Sequence, residues 1–522
     1  MRAKWMKIFY GVVVLTLVLL TGYQPLAAAP PTGEVKTAAS DIGVGMPIPY
    51  IERTVALDWT GLLYDSLVGS THEGKLSPEL GLANKWEMSR DGVTWTFHLR
   101  KGVKFHDGVE LTAKDVKFSI EQNMLPDAVE YYFIKEYVKH IEVPNPYTVI
   151  INCKKPCLYM ALFLSNIMGS GGMVVPKDYY ERLGKDQFAK RPIGSGPYQW
   201  HSQVVGSSLK LEATEKHWRD GVPKYKYMTY LVIPEEVTRM SMLRTGEADI
   251  ARISREGVKE ALSVGLNVLT KENAFAFQFQ PNMQWTSPVF SDIRFRKALN
   301  LAIDKEGIIK HLLAGLAKPA AFFPGSHMAA FEPSLLNLKP YPYDPAEARR
   351  LIKEGGWEGY EFTLISMSRA WLPEYPKIVE AVAGSWERVG LKPKIRVTDW
   401  AVYRKAFADR KTQNMIHGTE SPVSPDIVTL LERISDRWDF SQRRSTVNIP
   451  EVNERFERIS KSLDISEITK LLAEICRYAY DHYLLVPMCD LPDIIAANQR
   501  IPKWNLGVHR TGNNYYELIR QK

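Results

Sequence analysis

A chain of 522 residues with 45% hydrophobic and 11% aromatic content can build two or three domains with their own cores, which excludes a wholly disordered protein. Its formal net charge is +8, yet no dense Lys/Arg block interleaved with aromatics occurs, and this argues against nucleic-acid binding. With 13 Trp and 25 Tyr, flat apolar surfaces with polar edges are available to line a cavity or to pack a core.

In chain order, Arg2, Lys4 and Lys7 precede an uncharged run over 8–20, followed by Ala27, Ala28 and Ala29. A membrane span needs about twenty apolar residues, whereas the core of a secretory leader needs roughly 7–15. The run therefore predicts a cleaved export signal over 1–29 rather than an anchor, and Pro30 moves the expected cut a residue or two before Ala29. No Cys precedes Cys153, so the leader offers no cysteine for lipid attachment. The expected product is free in a periplasm-like space.

The segment 69–75, GSTHEGK, has the spacing of a phosphate-binding loop. Leu76 replaces the required Ser/Thr and Ser77-Pro78 replaces the helix start, so a hairpin loop is expected instead. TWTFHL over 94–99 alternates like a half-buried strand, His106-Asp107-Gly108 reads as a turn, and Thr112 with Asp115 marks a helix start over 112–122. Cys153, Cys157, Cys476 and Cys489 allow three pairings after export; a 153–157 bridge across Lys154-Lys155-Pro156 is the favoured one, with ordinary buried thiols as the alternative. No His stands at ligand spacing from either pair, so no metal site is expected. Ser195 between Gly194 and Gly196 lacks the flanking pattern of a nucleophile elbow.

Residues 234–245 read as a helix closed by Gly246, and 248–250 as an extended segment. Asp344-Pro345 caps a helix ending at Gly355-Gly356, and 376–389 forms another stopped by Gly390, with a strand over 394–397. Ile378, Val379, Val382, Trp386 and Val389 fall on one face of that second helix. Helices alternating with short strands predict an α/β fold, in which ligands bind in crevices at strand ends.

The stretch 82–122, LANKWEMSRDGVTWTFHLRKGVKFHDGVELTAKDVKFSIEQ, resembles the most characteristic region of the family 5 extracellular solute-binding proteins. RPIGSGPYQW (191–200), the stretch 217–250, SDIRFRKALNLAIDKEGIIKHLLAGLA (291–317) and YDPAEARRLIKEGGW (343–357) agree in order. The resemblance implies a periplasmic-binding-protein-like α/β fold of class II, cluster C, with two ligand-clasping lobes and an inserted α/β domain. By that analogy residues 36–66, 190–278 and 488–522 form lobe I, 67–189 the inserted domain and 279–487 lobe III. It also implies a non-enzymatic, monomeric binding component without a cofactor, serving the membrane subunits and ATPases of an ABC importer of peptides or peptide-like solutes. An opine, glycoside or metal-chelate importer is the alternative within the family, and a secreted hydrolase the alternative outside it.

Two stretches bear on the ligand. In dipeptide-binding relatives an Arg-x-Tyr pattern after a strand grips the peptide carboxylate, and here Arg369-Ala370-Trp371 follows the strand-like 362–365. Arg suits the task because its planar fork holds a carboxylate through two hydrogen bonds, and Trp371 and Trp400 are the aromatic candidates beside it. Peptide binders also place an Asp four residues before a Pro to pair the ligand ammonium, whereas here Ser421 stands at that distance from Pro425. Glu420 and Asp426 flank the position and are the acids that could compensate. A pocket with Arg369 and Ser421 is expected to prefer carboxylates and to discriminate against free amino termini, because burying an unpaired ammonium costs several kcal/mol. If 1–29 is a cleaved leader, N-terminal sequencing of protein taken from the native envelope begins near residues 28–31. Recovery of intact Met1 in membranes would establish an anchor instead.

Overall fold

The structure is a computed structural model that describes residues 29–520 apart from 44, 53–55, 129–130, 168, 220, 222, 283–287, 323, 325–331, 370–371, 410, 423–426, 428–429, 432–433, 436–447 and 508–514. The expected leader thus lies outside the described residues but for its last position.

Strand β1 (Glu34–Ala39) and the helix Leu57–Leu63 lead into a small hairpin of β2 (Gly69–Ser70) and β3 (Leu76–Ser77). The GSTHEGK segment closes this hairpin, with the Thr71 N–H donating to Lys75 O at 2.8 Å and Gly74 at φ +85°. No helix N-terminus follows it, so the anion-binding reading has no physical basis. Next come β4 (Ala83–Met88), β5 (Thr94–Leu99), β6 (Val138–Asn145) and β7 (Thr148–Cys153), an antiparallel sheet in the order β4-β5-β7-β6. The alternation of β5 buries Trp95, Phe97 and Leu99 against Val149 and Ile151 of β7. The helix Ala113–Gln122 covering this region starts with a capping box between Thr112 and Asp115.

The remaining strands are β8 (Tyr198–Val204), β9 (Ser208–Ala213), β10 (Tyr227–Val232), β11 (Ile250–Arg252), β12 (Asn267–Pro281), β13 (Lys318–Pro319), β14 (Glu361–Ser366), β15 (Lys392–Val397), β16 (Met415–Pro422) and β17 (Val486–Ala497). With β1 they make one mixed sheet in the order β15-β14-β16-β12-β17-β11-β1-β10-β9-β8, with β13 added on β17. Strands β12 and β17 serve both halves. Residues 267–271 pair with 493–497 next to β11, and 275–279 pair with 486–491 next to β16. Between the two runs the register shifts, and Asn273 sits in the left-handed region at φ 47°.

Separate apolar clusters fill the halves. One gathers Phe275, Phe277 and Phe279 of β12 with Phe295, Phe362 and the inward face of the helix Tyr375–Glu387, where Ile378, Val379, Val382 and Trp386 are all buried. Another joins Val35, Trp59, Tyr198, Tyr230 and Ile250 to Phe118, Tyr180 and Phe188. A third lies within 67–174 around Phe97, and a helical fourth holds Leu430, Phe456, Leu471 and Cys476. All four cysteines are buried free thiols. The favoured 153–157 bridge is therefore absent: the turn brings the two thiols into one apolar cluster, where both serve as small hydrophobic side chains.

Ser195 and His106 are absorbed by a buried node at the base of the β2–β3 hairpin. The Asp65 carboxylate accepts from Ser195 Oγ at 3.0 Å, His217 Nε2 at 3.1 Å and Trp218 Nε1 at 2.7 Å. Burial works to raise this carboxyl, but His217, Arg219 and Trp218 together outweigh it and hold it below its ordinary range. His106 Nδ1 accepts the Gly194 N–H at 3.1 Å, so Nε2 carries the proton and donates to Gly196 O at 3.0 Å. A Cβ on Gly194 would meet Leu63 O at 2.1 Å, and one on Gly196 would meet Leu62 O at 2.3 Å. Backbone approach, not nucleophile display, explains this Gly-Ser-Gly.

Burial pushes His106 down to about 4, whereas in the unfolded chain it titrates near 6.5. Its contribution to stability is fully present above pH 6.5 and is lost as pH falls towards 4. Asp65 acts in the same direction at lower pH, since its stabilisation disappears as pH falls through its depressed folded value. Thermal unfolding followed against pH should show a loss of about 2–3 kcal/mol between pH 6.5 and 4 from His106. His106→Gln should remove that part of the slope; an unchanged slope would contradict the neutral, buried imidazole.

Candidate functional site

Strands β14 and β16 run parallel and adjacent, so their C-terminal ends open on the same edge of the sheet. In an α/β sheet that edge is where binding groups gather. Arg369 stands three residues beyond β14 and is buried at 8% exposure. Its Nη2 donates to Gly418 O at 3.2 Å, its guanidinium lies 5.5 Å from the Tyr375 ring centre, and its Nη1 is 3.9 Å from Glu420 Oε2. Tyr375 ties the two strand ends together: its hydroxyl donates to Ile365 O at 2.8 Å and accepts the Gly418 N–H at 2.9 Å. Gly418 is required for this approach, since a Cβ there would sit 2.3 Å from the Tyr375 ring.

Glu420 is buried in β16 as the register partner of Phe277, and Ser421 is the register partner of Ala276. Adjacent positions in a strand belong to opposite faces. Glu420 therefore stands beside Arg369 and does not take the position of Ser421 by a one-residue shift. Of the sequence-derived residues, the structure thus brings Arg369 and Glu420 together. Trp400 opens the helix Trp400–Ala408, and its side chain, like that of Ser421, is outside the described residues. Trp371 and Asp426 lie wholly outside them.

Sequence reasoning overlooked a polar set on the alternate face of the same strands. Gln278, Gln280, His417, Thr419 and Asp490 are all buried, and Gln278 Nε2 is a buried donor with no hydrogen-bond partner. The signal was the alternation Phe277-Gln278-Phe279-Gln280 in β12, in which one face is aromatic and the other amide.

The junction of the two halves is held by Arg255, which lies just after β11. Its Nη1 meets Glu374 Oε2 at 3.0 Å, its backbone N–H donates to Glu374 Oε1 at 2.6 Å and its Nη2 donates to Pro492 O at 2.6 Å. Both side chains are buried, and the guanidinium lies 5.8 Å from the Phe275 ring centre. An exposed pair, Lys377 with Glu256 at 2.7 Å, bridges the same two segments. On the β11 side of the register break, a cleft of ≈ 510 Å³ is lined by His72, Glu73, Lys271, Glu272 and Trp504, a size suited to a small solute. Burial lowers the Lys271 ammonium from its ordinary value. Among the described residues no group of three or more His, Cys, Asp or Glu could hold a metal ion, and no helix is long and apolar enough to cross a membrane.

Residues 77–440 match the family model described as bacterial extracellular solute-binding proteins, family 5 middle. The chain belongs to this family. Among the curated family relatives, the glutathione-binding protein GsiB of Salmonella choleraesuis strain SC-B67 is 30% identical over 352 residues, covering 67% of this chain and 66% of its own. The match thus spans just under two thirds of that relative's length. In fold, the chain is similar to the periplasmic binding protein DppA from Helicobacter pylori in complex with peptide STSA, with TM-score 0.78, 22% identity and coverage of 94% and 99% of the two chains. It is equally similar to AgaA from A. tumefacien R10 in complex with agropinic acid, with TM-score 0.78, 20% identity and coverage of 94% and 99%. These family 5 likenesses establish the mixed α/β binding-protein fold that the alternating elements predict.

Glu420→Gln should destabilise the protein by about 3 kcal/mol, because it leaves the Arg369 guanidinium buried beside a neutral amide. A carboxylate added as acetate or succinate should restore part of the loss. Melting temperatures measured with and without the added anion check this, and a variant as stable as the parent would show that the pair carries no weight.

Proposed function

We propose that the protein is the periplasmic substrate-binding component of an ABC importer, taking peptides or peptide-like small solutes by hinge closure and delivering them to the permease. The observation that carries this reading is the pair of strands β12 and β17 shared by both halves, interrupted by a register break at Lys271 to Phe275. Two lobes joined by such a break can rock about it while each core stays packed. Family membership and the solute-binding names of the relatives support the role. The leader pattern over 1–29, without a cysteine before Cys153, supports export without a lipid anchor. Within this proposal the partners are the importer's membrane subunits with their ATPases, and the binding component acts as a monomer. No catalytic step enters it: Ser195 and His106 are committed to the Asp65 node and its neighbouring glycines.

In this reading Arg369 takes the ligand carboxylate, Glu420 keeps the guanidinium oriented, and Ser421 leaves the amino-terminal side of the pocket without the acid that peptide-binding relatives place there. Trp371 and Trp400 supply apolar contact, and Asp426 is the remaining acid of the loop. The uncharged Ser421 also supports a second reading, a non-peptide solute such as an opine, glycoside or metal chelate. Mass spectrometry of protein extracted under native conditions identifies the co-purifying solute and separates these readings. Small-angle scattering with that solute should show contraction, and melting temperature should rise with its concentration. A tight ligand that leaves the scattering profile unchanged would refute closure. In calorimetry an acetylated peptide should bind at least as tightly as its free counterpart, and Arg369→Ala should weaken carboxylate ligands by roughly 2–5 kcal/mol. Much tighter binding of the free peptide would show that an acid holds the ammonium.

A further inference from the structure

We propose that the cleft beside the hinge is a second binding site, one that takes a small zwitterion of amino-acid type with its carboxylate on Lys271 and its ammonium towards Glu73 and Glu272. Three segments distant in the chain build it: the tip of the β2–β3 hairpin, the end of the first paired run of β12, and residues 503–506. Its volume of ≈ 510 Å³ lies in the range of small-molecule sites. The rim is held in place by the chain itself. His72 Nε2 lies 3.0 Å from Glu73 Oε1 and its Nδ1 3.9 Å from Glu517 Oε1, while the Asn505 N–H donates to Glu517 Oε2 at 3.0 Å. Glu517 thus joins the hairpin tip to the 503–506 segment.

The charges that line the cleft select the ligand. Lys271 and Lys503 bring two positive charges, Glu73 and Glu272 two negative ones, a balance that suits a solute whose own charges cancel. Depth separates them: Lys271 is half-buried, whereas Glu73, Glu272 and Lys503 are exposed. The Lys271 Nζ donates to Leu506 O at 3.4 Å, which is long for an ammonium contact. Its register partner across the ribbon is Asp493, and that carboxylate is engaged by Arg252 of β11. Burial lowers the Lys271 ammonium more than Glu73 and Asp493 raise it, so the acids around it leave this cation short of countercharge. A ligand carboxylate would supply the difference. Leu269, Trp504 and Leu506, all buried, form an apolar wall for the ligand's side chain.

The location gives occupancy a consequence. Lys271 is the last residue of β12 paired with β17 before the register break, and Glu272 stands inside the break. A solute that holds Lys271, Glu272 and Glu73 together ties the pivot to the hairpin and stiffens it. Neither Arg369 nor Glu420 lines this cleft, so its occupancy is independent of the importer reading.

The probe is L-leucine, with isocaproate and isopentylamine as the same skeleton lacking the ammonium or the carboxylate. Binding to dialysed full-length protein is followed through the indole N–H signal of Trp504 in isotope-labelled samples, assigned by its loss in Trp504→Phe. Leucine at up to about 50 mM, saturating for a Kd of about 1 mM, should shift this signal, and each half-molecule should bind at least about tenfold more weakly. Lys271→Gln should weaken leucine by the same factor, Glu73→Gln combined with Glu272→Gln should weaken it several-fold, and Arg369→Ala should leave it unchanged. Amide exchange over 272–275 should slow with leucine bound. No shift with leucine, equal binding of isocaproate, or a full response in Lys271→Gln would overturn the zwitterion site. Loss of the response in Arg369→Ala would place leucine at the strand ends and overturn a separate site. Unchanged exchange would overturn the stiffening of the hinge. Failure of every carboxylate solute to depend on Arg369 would count against the importer reading and leave these results standing.

Discussion

The whole molecule hangs on one antiparallel ribbon, β12 with β17. All twelve residues of β17 are buried, and buried backbone N–H and C=O groups cannot be left unpaired without a cost of about 1–3 kcal/mol each. Neither strand can peel away, so the two halves are bound to one sheet. The ribbon yields only where its register is already broken, between Lys271 and Phe275. Arg255 holds that place by reaching Glu374 on one side and Pro492 O on the other. A buried ion pair of this kind is weak evidence for net stability, but losing one partner leaves an uncompensated charge in the interior. Its effect is to fix how the halves meet.

The candidate site follows from the same sheet. Because β14 and β16 are parallel neighbours and β16 in turn pairs antiparallel with β12, the ends of β14 and β16 deliver Arg369 and Glu420 to one edge, and Tyr375 seals the strand ends between them. The strand period of two then divides labour along β12 and β16. One set of positions packs Phe275, Phe277 and Phe279 into the core, and the other buries amides, a hydroxyl and an imidazole. Buried polar side chains are as a rule hydrogen-bonded, and Gln278 Nε2, left without a partner, is an exception on this face.

Local features were legible in the sequence because their physics is local. The Thr112–Asp115 capping box, the Asp344-Pro345 start, the Gly246 stop and the GSTHEGK hairpin each depend on groups within a few residues of one another. The apolar face of 375–387 was likewise visible in its spacing. Ser195 and His106 gave no hint of their use, because the carboxylate that organises Ser195 is 130 residues away and the glycine carbonyl that accepts from His106 is 90 residues away.

By itself, the sequence determined the α/β class, family membership and the identity of the arginine that follows β14. Only the tertiary structure decided that Glu420 stands with Arg369 and not in place of Ser421. Pairing register sets the face of every strand residue, and register is fixed by a partner strand some 140 positions distant in the chain. In the same way only the fold brought Arg255 to Glu374 and aligned Cys153 with Cys157 on one turn. Spacing along a chain limits what can meet, but the hydrogen bonds of distant strands select what does.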